Sequence, residues 1–336
     1  MKRLSIVILN WNGRRFLERF LPSLTQSLPD YAEVVIADNA STDDSIDFLA
    51  THYPGIRVLR NERNEGFSRG YNLAMEQVNS EYFCLLNSDI EVTDHWIEPI
   101  IEMMDANETI AVVQPKIRSF AQPEMFEYAG ASGGFIDKYG YPFCRGRVFS
   151  TLEKDNGQYD ESIDIFWATG AAMFVRRDVY RTMGGLDEDF FAHMEEIDFC
   201  WRIKNAGFKI KVCPASVVLH VGGGTLPKNN SFKTFLNFRN NLFLLLKNLP
   251  ENRLTKTLIL RFFLDQVAAL FFLLQLHIKD FCAVYKAMFA FAKNFKKCKA
   301  KRNTMPKLAF TDVYDGSVVF LNYFKGKHHF NGTNFF

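Results

Sequence analysis

The sequence predicts an α/β protein built on an open, doubly wound sheet, and two observations carry that prediction. Short strand-like runs, Leu4–Leu9, Glu33–Ala37, Ile56–Leu59 and Tyr82–Leu86, alternate with segments of helical periodicity through the first quarter of the chain. The runs also end in turns rich in Asn, Asp and Ser, and in sheets of this class ligands gather beyond the carboxyl ends of the strands.

Leu4–Leu9 is apolar apart from Ser5, as expected of a strand buried on both faces. It stops at Asn10-Trp11-Asn12-Gly13. Arg14–Ser27 then places Phe16, Leu17, Phe20, Leu21 and Leu24 on one helical face. The second strand ends in Asp38-Asn39-Ala40-Ser41-Thr42-Asp43. The Ser41 or Thr42 hydroxyl is expected to cap the next helix, with Asp43 and Asp44 in its first turn. Capping accounts for that half of the motif without a ligand but leaves Asp38 unexplained. The third strand leads through Asn61–Gly66 into a helix reaching Val78. The fourth, Tyr82-Phe83-Cys84-Leu85-Leu86, ends in Asn87-Ser88-Asp89, where a carboxylate is well sited to hold a metal ion against a phosphate. A polar turn closing a core strand would look the same.

Composition narrows the class. The 336 residues are 48% hydrophobic and 23% charged, ordinary for a globular protein, and the formal net charge of +2 gives no basic field for nucleic acid. Six cysteines without a C-x-x-C pair read as reduced thiols of a cytosolic protein, and no signal peptide is expected. Neither G-x-G-x-x-G after the first strand nor G-x-x-x-x-G-K-[ST] occurs, which argues against dinucleotide oxidoreductases and P-loop enzymes. Asn and Asp at the strand ends suit a base, a ribose and a metal-bridged diphosphate instead.

Taken in order, Ser5–Gly13, Asp38–Asp43, Asn64-Glu65-Gly66-Phe67, Asn87-Ser88-Asp89, Thr169–Met173, Gly184–Glu188, Glu195–Arg202 and the region of His220 and Asn237–Asn241 resemble the signature of family 2 glycosyltransferases of GT-A fold. The rhamnosyltransferase-like branch is the most similar. The resemblance implies a catalytic domain over 1–250, with a nucleotide-sugar half at 1–115 and an acceptor half at 116–250. It implies donor contacts from Asn10, Asn12, Asp38, Asn39, Ser41, Asn64, Gly66, Asn87 and Ser88. Asp89, in a D-x-D element whose first position is Asn87, and His220, before Gly222-Gly223-Gly224, would hold Mg²⁺ or Mn²⁺.

The resemblance also places the catalytic base at the second residue of an acidic pair. That residue is Glu196, where the family usually has Asp. Glu195 is its rival, and Asp198, a turn from Glu195, is a partner in orienting the pair. The first turn of a helix favours carboxylates in any case. The implied reaction is inverting transfer of a sugar from a UDP- or TDP-sugar, TDP-rhamnose among the candidates, to a lipid-linked or polysaccharide acceptor. The alternatives are a nucleotidyltransferase, for which only Arg14-Arg15 offers a basic loop, and a sugar-binding protein on a decayed transferase fold. The segment Phe120–Trp167, rich in Gly, Tyr and Phe, reads either as the acceptor side of a cleft or as an aromatic-packed loop.

After Pro250 the character changes. Gln266–Ile278 lacks Asp, Glu, Lys and Arg but is shorter than the roughly 20 apolar residues a spanning helix needs. Phe281–Phe295 repeats apolar residues every three or four positions and runs into six basic residues between Lys293 and Arg302. Residues 251–336 are therefore expected to form an amphipathic helical extension. It would lie on the inner face of the membrane, or pair with a second copy or the catalytic domain, with the aromatic tail from Leu308 packed on its helices.

Overall fold

The computed structural model describes residues 2–222, 230–303, 312–330 and 335. The first seven elements alternate as expected: β1 (Leu4–Asn10), α1 (Arg14–Gln26), β2 (Ala32–Asp38), α2 (Ser45–His52), β3 (Arg57–Arg60), α3 (Gly66–Gln77) and β4 (Tyr82–Asn87). These four strands are parallel and ordered β3-β2-β1-β4. Their register pairs Asn10 with Asp38 and Leu9 with Asn87, so the polar strand ends share one edge.

The chain continues with β5 (Ile90–Val92), α4 (Glu98–Asp105) and β6 (Ile110–Ser119), then β7 (Gly134–Ile136), β8 (Pro142–Cys144), β9 (Arg147–Val148) and β10 (Thr151–Leu152). There follow β11 (Ala172–Arg176), α5 (Arg177–Thr182), α6 (Glu195–Asn205) and β12 (Lys209–His220). The main sheet is mixed rather than uniformly parallel: β11 runs antiparallel between β4 and β6, and β5 antiparallel to β12. Alternate residues of each central strand feed different cores, as a period of two requires. Ile6, Ile8, Cys84 and Leu86 meet α1, α2 and α4, whereas Val7, Phe83 and Leu85 join the core containing α3 and α6.

Several expectations are corrected. The helix after Asp38 starts at Ser45, later than the motif suggested, because Ser41 and Thr42 are held by Asn10 and Asn12 and the Asp43 carboxylate accepts the Ser45 N–H at 3.2 Å. Part of Phe120–Trp167 is a small antiparallel sheet, β10-β9-β8-β7, rather than an irregular loop. The described part of the tail packs against this sheet. Phe330 and Phe335 stack on Phe143, and Val318, opening α10 (Val318–Phe324), donates to Asp137.

The C-terminal helices are α7 (Ser231–Asn248), α8 (Glu251–Leu274) and α9 (Ile278–Asn303). By length and composition α8 could cross a membrane, which the short charge-free stretch did not suggest. Its charges at Arg261 and Asp265 face inward and pair with each other. The basic end of α9 is also partly spent inside the molecule. Lys297 and Lys301 pair with Asp189 and Asp187, and the buried Arg302 pairs with Glu251 at 2.7 Å.

Candidate active site

At the ends of β1 and β2 the polar side chains first build one another's positions. The Asn10 amide donates to Asp38 at 3.1 Å and to the Ser41 hydroxyl at 3.0 Å, and the Asn12 carbonyl oxygen accepts the Thr42 N–H at 2.7 Å. Asn39 is fully engaged. Its amide donates to Asn64 and to the Gly66 carbonyl, and its oxygen accepts from Asn61 and the Glu65 N–H. Asn10, Asp38 and Asn39 are all buried. Each Asp38 oxygen takes one internal donor, from Asn10 and from the Ser41 N–H, which leaves lone pairs for another. Gly66 has a φ of +76°, and a Cβ there would come within 2.5 Å of the Phe191 ring, so only glycine fits. Asn87 and Ser88 lie half-buried at the same edge, and the Asn87 N–H donates to the Ala171 carbonyl.

Asp89 and His220 meet because β5 pairs with β12 so that Ile90 stands opposite His220. The imidazole Nε2 lies 3.2 Å from Asp89 Oδ1, and Nδ1 lies 3.0 Å from Glu127 Oε2. All three side chains are buried. Burial alone would lower the imidazole pKa, but the Asp89 and Glu127 carboxylates overcome it and raise it to about 10. Burial would raise the Glu127 carboxyl, and the hydrogen bond from His220 reverses this and lowers it.

Glu127 is absent from the sequence-derived set. Nothing local distinguishes it from Glu124, Asp137, Glu153 or Asp155 in the same segment, and only the fold brings it to His220. Carboxylate oxygen and imidazole nitrogen side by side, with the second ring nitrogen held by a carboxylate, suit a divalent ion. Among the described residues no cluster of three or more His, Cys, Asp or Glu surrounds this point as a closed cage. Of the glycines after His220, only Gly222 is among the described residues.

The acidic helix α6 follows a strained approach. Phe191, His193 and Met194 have φ of +65°, +67° and +72°, left-handed values that cost non-glycine residues free energy unless their surroundings fix them. Asn240 of α7 supplies that restraint. Its side-chain amide donates to the carbonyls of Phe190, Ala192 and His193 at 2.9, 2.8 and 2.7 Å. Arg239 adds bonds to the Asp189 and Phe190 carbonyls.

Glu195 is buried and Glu196 half-buried, and Oε2 of each has no hydrogen-bond partner among the described residues. Burial pushes the Glu196 carboxyl up to about 7 against the pull of nearby backbone N–H groups. Burial, and then the Glu196 charge, push the Glu195 carboxyl well above its ordinary range. Glu196 also borders the strand ends: a Cβ added at Gly170 would lie 3.8 Å from its own Cβ, next to the Ala171 that bonds Asn87. Asp198 faces elsewhere. It bonds Arg202 at 2.9 Å, Lys247 at 2.8 Å and Asn248 at 2.8 Å, and those cations lower its pKa despite burial. Lys247 also binds Asp187, so one lysine ties α6 to the turn before it. The expected orienting contact between Asp198 and the glutamate pair is not among these bonds.

The fold, a mixed sheet with helices on both faces, is the GT-A fold shared by solved glycosyltransferases. The model of glycosyl transferase family 2 matches residues 5–184, more than half of the chain, and the protein belongs to that family.

The N-acetylglucosaminyl-diphospho-decaprenol L-rhamnosyltransferase of Mycobacterium tuberculosis is 25% identical over 235 residues, covering 65% of this chain and 75% of the relative. Rhamnosyltransferase WbbL of Escherichia coli is 22% identical over 228 residues, 64% of this chain and 82% of the relative. The fold is shared with GalNAc-T7, solved with UDP, GalNAc and Mn²⁺, at a TM-score of 0.60 and 20% identity. That match covers 75% of this chain but only 49% of GalNAc-T7. The mannosyltransferase PcManGT of Pyrobaculum calidifontis, solved with GDP-Man and Mn²⁺, matches at 0.53 and 13% identity, over 90% of this chain and 84% of its own.

Proposed function

We propose that this transferase moves one sugar, with inversion, from a nucleoside-diphosphate donor to a lipid-linked or glycan acceptor in surface-glycan synthesis. The relatives named as rhamnosyltransferases favour TDP-rhamnose as donor, and the decaprenol-linked substrate in one name favours a lipid diphosphate acceptor. The observation that carries the reading is Glu196: a half-buried carboxylate with a pKa near 7, at the edge where the strand ends converge.

In this reading Asp38 and the Asn10–Ser41 network receive the base, and Asn87 and Ser88 line the approach to the diphosphate. Asp89 and His220 would hold Mg²⁺ or Mn²⁺, whose chemistry is to neutralise charge on the departing nucleoside diphosphate. Glu127 fixes the ring of His220 so that Nε2 points to that position. Glu196 takes the proton from the acceptor hydroxyl as its oxygen bonds to the anomeric carbon and the bond to the diphosphate breaks. A base of pKa near 7 suits that proton transfer at neutral pH. Glu195 is more deeply buried, and burial together with the Glu196 charge disfavours a second negative charge there.

Calorimetry with UDP-, TDP- and GDP-sugars, with Mg²⁺, Mn²⁺ or EDTA, tests this directly. Metal-dependent binding of one sugar nucleotide that is weakened by Asp89→Ala supports the reading and identifies the donor. Binding of none of them in either metal overturns it.

A further inference from the structure

The helix α8 is amphipathic the wrong way round for a helix facing water. Its buried stripe is Leu254, Thr257, Arg261, Asp265 and Ala269, spaced three or four residues apart and including both charges of the helix centre. Arg261 lies over the Tyr141 ring at 4.1 Å and donates to the Tyr139 carbonyl, and Asp265 accepts from Arg261. The opposite stripe is apolar and exposed: Ile259, Phe262, Phe263, Val267, Leu270, Phe271 and Leu274. It ends at the α8–α9 turn, where Leu274 and Leu276 are 74% and 82% exposed. A contiguous aromatic and aliphatic face of this length is uncommon on a monomer surface.

Charge identifies what covers it. Glu251–Asn303 contains eleven Lys and Arg against three acids. Those acids are engaged within the molecule: Glu251 with Arg302, Asp265 with Arg261, and Asp280 with the Thr234 hydroxyl. Lys256 of α8 and Lys279, Lys286, Lys293, Lys296 and Lys299 of α9 are exposed. A two-fold contact through this face would bring one basic rim against its own copy, which is repulsive. An apolar face rimmed by cations matches the acyl–headgroup boundary of an anionic leaflet. Tyr285 and Phe289 of α9, both exposed, add aromatic side chains suited to that depth, and Tyr285 is anchored to Gln266 by its hydroxyl.

We propose that the exposed face of α8, with the α8–α9 turn, is a docking surface for an anionic membrane. The helix lies in the interface and does not cross it, because its other face is committed to protein through Arg261 and Asp265. The site therefore sits on α8, not on the Phe-rich α9 with its basic end, which packs on α7 and spends part of its charge on Asp187 and Asp189.

Flotation of the full chain with phosphatidylcholine vesicles, with and without phosphatidylglycerol, tests the proposal without any sugar substrate, so its failure is separable from failure of the transferase reading. Wild type should float with phosphatidylglycerol vesicles. The triple variant Phe263→Ser, Leu270→Ser, Leu274→Ser should lose about tenfold or more of that binding with an unchanged melting temperature, since these side chains are exposed. Lys279→Glu with Lys286→Glu should weaken binding to anionic vesicles alone. Two results would overturn the proposal: wild type that floats with neither vesicle, or wild type that is a dimer by light scattering and is made monomeric by the triple variant with vesicle binding intact.

Discussion

Two groups of carboxylates, each with one buried and one half-buried member, lie within a few residues of one another and are treated in opposite ways. Asp187 and Asp198 are saturated with cations, from Lys247, Arg202 and Lys301, and their pKa values are lowered. Glu195 and Glu196, at the start of the same helix that carries Asp198, have no cation partner among the described residues, and their pKa values are raised. Burial is shared, so partners set the difference. The first pair holds the elements in place with charge that is permanently neutralised. In the proposed reading the second keeps a carboxylate ready to take a proton, the division of labour expected between a scaffold and a general base.

The strongest way to break this comparison is Glu196→Gln. Loss of the base should lower kcat by about 10²–10⁴ with donor affinity little changed, read by steady-state kinetics and calorimetry. Wild-type kcat should rise with pH through about 7 as Glu196 loses its proton, and the variant should be flat there. Stability should move the other way. Between the ordinary glutamate pKa of 4.5 and about 7 the folded chain holds a proton that the unfolded chain has released. Wild-type stability therefore falls as pH rises through that window. Glu196→Gln should melt higher than wild type above about pH 7, and an equal melting temperature there would show that the carboxylate is not starved of partners.

Next in size is the saturated pair. Lys247→Met removes the cation that Asp198 and Asp187 share, leaving them Arg202 and Lys301, and taking one partner from a buried ion pair costs up to about 3–5 kcal/mol, read by urea denaturation. Because both aspartates have depressed pKa values, the loss should be largest at neutral pH. It should shrink as pH falls below the ordinary aspartate range, where the wild type loses the same stabilisation.

The strand ends supply a third case. Glu127 accepts from His220 and from the Ala129 N–H, and glutamine keeps an oxygen for both, so Glu127→Gln should leave the fold intact and weaken Mn²⁺ binding about 10–100-fold, measured by titration calorimetry.

How much of this the sequence shows depends on whether the signal is local. β1 to β4 were legible because each is an apolar run with a polar end, and Asp38, Asp89 and His220 stand at such ends. Their roles stay proposals, but their convergence is now visible. What sequence could not show depends on distant chain segments. Glu127 reaches His220 from 93 positions away, and Asn240 clamps a turn nearly 50 positions before it. Lys247, a lone cation within an apolar helical run, was the one available hint of a buried partner. Ser41 and Thr42 misled for the converse reason: a local cap was expected, and Asn10 and Asn12 from another strand competed for the same groups. The pattern of α8 also misled, since its charges interrupt an apolar run in sequence yet point inward in the fold.

The smallest expected effect sharpens the comparison from its weak end. Lys297 pairs with Asp189 in the same run of acids as Asp187, but its side chain is 63% exposed. Water already solvates both charges, and ordering a long side chain offsets most of the attraction. Lys297→Ala should therefore change stability by no more than about 1 kcal/mol, against several for Lys247→Met. Raising the salt concentration should erase the Lys297 difference and leave the Lys247 difference nearly unchanged, because a buried pair is poorly screened. Equal losses from the two variants would mean that the lysines act through packing of α9 and α7, not through desolvated charge, and the contrast between saturated and starved carboxylates would lose its electrostatic basis.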